Sequence, residues 1–345
     1  MAIKYSVIIP VYNREDELSE LLQSFSLLRF DSDKCEIIVV DDGSVVDLSQ
    51  VINKFKPKIP FDLVYHRQEN QGPAQARNTG MKLARGEYYI FLDSDVTLPG
   101  DWLHKIDHEL QRTKADAFGG PDTCRPDFSP LLKAIDYSMT SFLTTGGMRG
   151  KKGKKLAKYY PRTFNMGVHK NLVKQTGGFS HLRFGEDIEF SHRLHKHGAK
   201  VIFIDSPVFH KRRTSIPLFF KQVFNSGVAR INLYKLDASM LEPIHAFPAI
   251  ATAATLFLVI FSIMDVGVLS TLSKIGLWFV LCYFCLIAMS GSIVQKSLKA
   301  GLYLLIVSPM QIFGYGMGFI YNAIRRIIFN LPETKGIEKN YYGKK

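Results

Sequence analysis

Three short apolar runs near the start of the chain each stop at polar side chains. Residues 5–13 read Tyr-Ser-Val-Ile-Ile-Pro-Val-Tyr-Asn, residues 36–42 read Glu-Ile-Ile-Val-Val-Asp-Asp, and residues 88–96 read Tyr-Tyr-Ile-Phe-Leu-Asp-Ser-Asp-Val. Runs of this length without alternation suit strands buried on both faces of a parallel sheet. Helical spacings separate them: Leu18, Leu21, Leu22 and Phe25 after the first run, then Val51, Ile52 and Phe55 after the second. A further strand is expected at 61–66, and the turn at Asn70-Gln71-Gly72-Pro73 opens a helix carrying Arg77 and Asn78. Such alternation predicts an α/β domain with a parallel sheet covered on both faces. Ligands gather at the carboxyl ends of such strands, so Asn13, Asp41, Asp42, Asp93 and Asp95 should converge on one edge. Converging carboxylates repel one another, and a hard divalent cation, Mg²⁺ or Mn²⁺, would offset that cost.

The rest of the N-terminal part is less regular. Gly119 and Gly120 end an expected strand, where close backbone approach to a ligand would account for two glycines. Residues 138–158 hold glycines, threonines and a basic cluster (Arg149, Lys151, Lys152, Lys154, Lys155, Lys158) and read as a mobile loop. That cluster suits a solvated charge run, a cover for a pyrophosphate or a contact with anionic lipid. Asn165 leads to another helix and to Gly177-Gly178. Glu186 and Asp187 stand at the start of a helix through His197. A strand at 200–208 then leads to His210, followed by Lys211, Arg212 and Arg213. Residues 216–236 mix Phe219, Phe220, Val223 and Phe224 with Lys221, Arg230 and Lys235, a pattern for an amphipathic helix at a membrane surface.

After Pro243 the character changes. Residues 246–264, 275–290 and 301–323 form three apolar runs, and crossing a bilayer takes about 20 such residues. Two or three membrane helices are therefore expected. Three crossings would put the basic tail opposite the N-terminal domain, against the positive-inside tendency; two would keep both on one side. Lys and Arg exceed Asp and Glu, 44 to 31, for a net charge of +13. That balance points to a nucleotide-bearing substrate or an acidic membrane surface, while no nucleic-acid recognition motif is present. The first residues lack a signal peptide's pattern, so the N-terminal domain is expected on the cytoplasmic side of the cytoplasmic membrane. Of four cysteines, Cys282 and Cys285 form a Cys-x-x-Cys inside an apolar run and read as small buried hydrophobes.

Five stretches recur in a recognisable order: Ser-Val-Ile-Ile-Pro-Val-Tyr-Asn (6–13), Val-Val-Asp-Asp-Gly-Ser (39–44), Asn-Gln-Gly-Pro-Ala-Gln-Ala-Arg-Asn-Thr-Gly (70–80), Phe-Leu-Asp-Ser-Asp (91–95) and Gly-Glu-Asp-Ile-Glu-Phe (185–190). Together they resemble the family 2 glycosyltransferases, whose nucleotide-diphosphosugar transferase fold is termed GT-A. The resemblance spans about residues 4–235. It implies that Asp41 binds the nucleotide base, with Pro10, Tyr12 and Asn13 lining that pocket and Arg77 and Asn78 completing it. Asp93 and Asp95 match the metal motif, Asp95 as the direct ligand and Asp93 on the donor; His210 matches a second ligand position. Lys211 to Arg213 would neutralise phosphate. Asp187 matches the catalytic base, a choice over Glu186 and Glu189 that rests on the resemblance alone. Gly120, Asn165, Glu186 and Arg212 are candidate donor or acceptor contacts. Processive members carry Gln-x-x-Arg-Trp after the base, whereas this chain offers Gln222-Val223-Phe224-Asn225; a single transfer is implied.

The expected organisation is thus a GT-A catalytic domain at 1–213, an interfacial helical region at 214–243, membrane helices at 244–323 and a basic tail at 324–345. The implied activity is inverting transfer from a nucleotide sugar, UDP by family frequency, to a hydroxyl of a lipid-linked or cell-surface glycan. The alternatives are transfer to a polyprenyl phosphate and, in another class, a catalytically idle membrane scaffold.

Overall fold

The computed structural model describes residues 3–125, 127–146, 159–182, 184–211, 215–264 and 266–334. Its main sheet is built from β1 (Tyr5–Val11), β2 (Cys35–Asp41), β3 (Asp62–Arg67), β4 (Tyr88–Phe91), β6 (Ala117–Gly119), β8 (Met166–His169) and β9 (Val201–Phe203), in the order β3-β2-β1-β4-β8-β6-β9. β1 runs parallel to both β2 and β4, and only β8 is antiparallel to its neighbours. Every residue of β1 and β2 is buried, as their unalternating apolar runs require. One face is covered by α1 (Glu15–Phe25), α2 (Ser49–Phe55) and α4 (Trp102–Thr113), the other by α3 (Pro73–Leu83), α7 (Lys170–Thr176) and α8 (Glu186–Lys196). Leu18, Phe25, Ile52 and Trp102 fill the first layer, and Ala76, Leu172, Phe190 and Leu194 the second.

The run 200–208 is not one strand. It breaks after Phe203, and a second segment forms β10 (Val208–His210) in a separate small sheet with β5 (Val96–Thr97) and β7 (Asp122–Thr123). Ser206 holds the break, its hydroxyl donating to the Trp102 carbonyl (2.9 Å). The chain changes sheets because its next three residues are needed beside Val96.

The stretch expected as a loop from 138 is helical at its start. α5 (Pro130–Thr140) and α6 (Phe142–Thr145) occupy it, while 147–158, with the whole basic cluster, lies outside the described residues. α5 does not belong to the sheet layers. Ala134, Ile135 and Met139 pack with Phe284, Ile287, Leu304 and Val307 of the C-terminal helices. The N-terminal segment therefore contributes a helix to the apolar part.

Among the described residues, three helices are long and apolar enough to cross a bilayer: α10 (Pro243–Ile263), α11 (Gly267–Val294) and α12 (Leu298–Ala323), the last continuing as a wider turn to Ile328. α9 (Ile216–Leu236) was expected on a membrane surface, but it is built into this bundle along α12. The backbones touch. A Cβ on Gly227 would stand 2.1 Å from the Tyr315 carbonyl oxygen, and one on Gly318 would stand 2.1 Å from that of Phe224. Asn322 Nδ2 donates to the Val228 carbonyl and to Asn232 Oδ1, both at 2.8 Å, and fastens the pair's end. Cys282 and Cys285 are free and exposed on α11, not buried, because the apolar side of such a helix faces outward.

Candidate active site

β4 ends at Phe91, and the turn Leu92-Asp93-Ser94-Asp95 carries two carboxylates past the sheet edge before β5 begins. β10 lies antiparallel to β5 with His210 opposite Val96, which brings the imidazole against Asp95. On its other side β10 pairs with β7, where Asp122 stands. The result is a chain of groups: His210 Nε2 lies 3.2 Å from Asp95 Oδ1, and Nδ1 lies 3.1 Å from Asp122 Oδ2. Burial alone would push this imidazole down, but Asp95 and Asp122 outweigh it and raise it to about 9. Ligand atoms of Asp93, Asp95 and His210 lie within 4.8 Å of one another. Carboxylate oxygens with one imidazole nitrogen fit a divalent cation, and Asp122 is placed to fix the ring and aim Nε2.

The acids are balanced by internal cations. Arg14 NH1 is 3.0 Å from Asp95 Oδ2. Arg77, only 4% exposed at its side chain, bridges Asp93 (2.8 Å) and Glu186 (3.1 Å). Arg162 Nε is 2.9 Å from Asp187 Oδ2. Asp187 sits in the first turn of α8, where its Oδ1 accepts from the Ile188 N–H (2.8 Å) and the helix dipole favours an anion. Gly185 makes that placement by taking a left-handed φ of +85°, which starts the helix without a Cβ clash. Glu186 is held above the usual carboxylate range, first by burial and then by the charge of Asp187, with Arg77 opposing.

These groups line one cleft of about 550 Å³. Pro10, Tyr12, Arg77 and Asp93 are on its wall, as are Asp95, Glu186, Asp187 and His210. Other expected site residues are placed behind it. Asp41 is fully buried and accepts from the Ser44 N–H and the Tyr65 hydroxyl, both at 2.9 Å; its neighbour Asp42 lines the cleft instead. Asn13 braces the next loop, its Oδ1 accepting from the Val45 N–H at 2.7 Å. Asn78 clamps Phe179 through both backbone groups, at 2.9 and 2.8 Å. Gly120 is approached by protein, not by the cleft: a Cβ there would meet Asn165 Nδ2 at 2.1 Å. Asn165 itself is buried, donating to the Ser206 carbonyl (2.8 Å) and accepting from Trp102 Nε1 (3.2 Å). Arg212 lies outside the described residues.

Sequence reasoning missed Arg14, Arg162 and Asp122. Each lies far in sequence from its partner, and only the turn to the second sheet brings Asp122 to His210. The one available signal was the count of acids at the strand ends, which demands cations nearby.

The family model for Glycosyl transferase family 2 matches residues 6–175. Among curated proteins, the glycosyltransferase AglE of Haloferax volcanii is 28% identical over 70% of this chain and 77% of its own length. The glycosyltransferase GlyG of Streptococcus pneumoniae is 25% identical over 69% of this chain and 83% of its own. A solved structure, the mannosyltransferase PcManGT from Pyrobaculum calidifontis in complex with GDP-Man and Mn²⁺, superposes with a TM-score of 0.60 at 20% identity, covering 89% of this chain and 88% of that one. That last likeness is one of fold. With its motifs, its sheet order and these relatives taken together, the chain is a glycosyltransferase whose residues 6–175 match the family 2 model, with a GT-A-like N-terminal domain and a C-terminal set of apolar helices.

Proposed function

We propose that the chain transfers one sugar from a nucleoside-diphosphate donor, a UDP-sugar by family frequency, to a hydroxyl of a lipid-linked or cell-surface glycan, with inversion at the anomeric carbon. The observation that carries this is the shared cleft: Asp95 and His210 from the strand tips and Asp187 from a helix start line one space, although about 90 residues separate Asp95 from Asp187 in sequence. Asp187 is the base. It takes the acceptor hydroxyl's proton as that oxygen attacks, and the bond to the donor diphosphate breaks on the opposite face. Arg162 holds the carboxylate in place for that transfer. Arg14 and Lys211 line the donor end, where cationic side chains compensate the departing diphosphate. A divalent cation held by Asp95 and His210, with Asp93 beside them, would supply Lewis-acid neutralisation of that leaving group when bound.

One displacement inverts the centre, so an α-linked donor gives a β-linked product. The missing Arg-Trp after Gln222 favours a single transfer over polymerisation. The apolar helices and the expected orientation favour a cytoplasmic membrane enzyme with its catalytic domain on the cytoplasmic side.

The test is donor turnover by the full chain in lipid nanodiscs with Mn²⁺, read as nucleoside diphosphate release across a panel of nucleotide sugars. Asp187→Asn should lower kcat by about 10²–10⁴ while donor binding persists. Asp95→Ala should lose metal-dependent donor binding. If both variants turn over donor at the parent rate, these role assignments fail.

A further inference from the structure

The cleft does not end at the strand tips. Its far wall is formed by α9, α10 and α12, where Arg230, His245, Gln311 and Tyr315 line it beside Ile244 and Pro248. A polar cluster there stands between helices long and apolar enough to cross a bilayer. Arg230 NH1 donates to the Met240 carbonyl (3.2 Å), and its Nε is buried with no acceptor among the described residues. No carboxylate among them is ion-paired with this guanidinium, and the Tyr315 side chain lines the cleft with it. The neighbouring acid, Glu242, caps the start of α10. The carbonyl oxygen of Gln311 is likewise buried and unpartnered among the described residues. The Glu242 N–H donates to His245 Nδ1 (2.9 Å), so a neutral ring carries its proton on Nε2.

A guanidinium whose Nε is buried without an acceptor is costly unless an anion offsets it. Donors on one side, an unpartnered acceptor beside them and apolar walls describe a site for an amphiphile with an anionic head bearing hydroxyls. We propose that this end of the cleft binds the phosphate or diphosphate ester of a membrane lipid that carries the acceptor sugar, with Arg230 taking the anion and the lipid chain leaving along the exposed apolar face of α10. Phe247 and Ile250 on that face are 58% and 64% exposed. This rests on the proposed transfer reaction and adds the acceptor's class. It also accounts for α9 being built into the bundle: Arg230 has to be carried to the apolar end while the same wall reaches Asp187.

The experiment uses the full chain in phosphatidylcholine nanodiscs and three probes: a long-chain polyprenyl diphosphate, the uncharged polyprenol and inorganic pyrophosphate. Equilibrium binding is measured for each, with UDP–Mn²⁺ binding as a separate arm. The polyprenyl diphosphate should bind at least about tenfold more tightly than either other probe, and Arg230→Gln should remove most of that preference, with Arg230→Lys between. UDP–Mn²⁺ binding should be unchanged in both variants, which also reports that they are folded; if Arg230→Gln loses it, Arg230→Lys carries the comparison. Polyprenol binding as tight as the diphosphate, or an Arg230 variant that keeps UDP binding and the full diphosphate preference, overturns the proposal. Pyrophosphate binding as tightly means a free-phosphate site and overturns it as well. Loss of all nucleotide binding by the parent chain would sink the transfer reading, whereas the lipid arm alone decides this one.

Discussion

Replacing Arg77 with Met tests whether the acids of the cleft are held by internal cations. The side chain is 4% exposed and spans Asp93 and Glu186 at 2.8 and 3.1 Å. Asp93 is 32% exposed, so solvent screens its pair and that loss is worth about 1 kcal/mol or less. Glu186 is 14% exposed, and stripping a buried charge of its partner costs about 3–5 kcal/mol when it stays ionised. It need not stay ionised. Its folded value already lies above the unfolded one of 4.5, because burial and Asp187 disfavour the charge. The folded state thus holds its proton to higher pH than the unfolded state, and Glu186 takes away stability as pH rises above the unfolded value. Without Arg77 the folded value rises further, so the stability difference between parent and variant opens with pH. We expect about 1 kcal/mol at pH 5, where Glu186 is protonated in both, and roughly 3–4 kcal/mol at pH 8. The assay is denaturant unfolding of the full chain in detergent with chelator present, followed by Trp102 fluorescence in a Trp278→Phe background. Trp102 is fully buried in the catalytic core and Trp278 is 66% exposed, so the first reports the domain and the second is dispensable. A difference that is the same at both pH values, or smaller at pH 8, refutes the linkage between Arg77 and Glu186.

Three further outcomes follow from the same geometry. Asp122→Asn keeps the shape beside His210 but removes the charge that orients the ring, so Mn²⁺ affinity should fall about 10–100-fold, measured by calorimetry with UDP present. Arg162→Gln should reduce kcat about tenfold with the donor KM unchanged, and Arg162→Lys should recover part of it; a rise in KM at constant kcat would mean a binding role instead. Gly227→Val forces a side chain into the α12 backbone, 2.1 Å from the Tyr315 oxygen, which cannot yield; about 1–3 kcal/mol or more of stability should be lost, seen as a lower midpoint and faster proteolysis between α9 and α12.

How much of this was readable beforehand depends on the distance over which each residue acts. β1, β2 and β4 declare themselves because a strand buried on both faces needs an unbroken apolar run, and the carboxylates at their tips are adjacent to those runs. The small sheet was hidden because β5 and β7 are two residues each and carry no pattern. Its importance is out of proportion to its length, since the His210–Val96 register alone decides that the imidazole meets Asp95.

The C-terminal part was misread for a different reason. Apolar periodicity reports which side of a helix avoids water, and inside a bilayer that no longer separates buried from exposed. Cys282 and Cys285 therefore came out exposed, and α9, read as lying on a surface, turned out packed by glycines against α12. The informative residues there are the polar ones that an apolar setting does not forgive: Arg230, Gln311, Asn232 and Asn322. Asn322 Nδ2 donates to Asn232 Oδ1 across the helix pair at 2.8 Å. Arg230 and Gln311 keep atoms unsatisfied among the described residues and line the same cleft as Asp95 and Asp187. Asn322 Oδ1 is unpartnered too, but neither asparagine lines the cleft; what sets Arg230 and Gln311 apart is that their open hydrogen-bonding capacity stands on its wall, where a ligand can meet it.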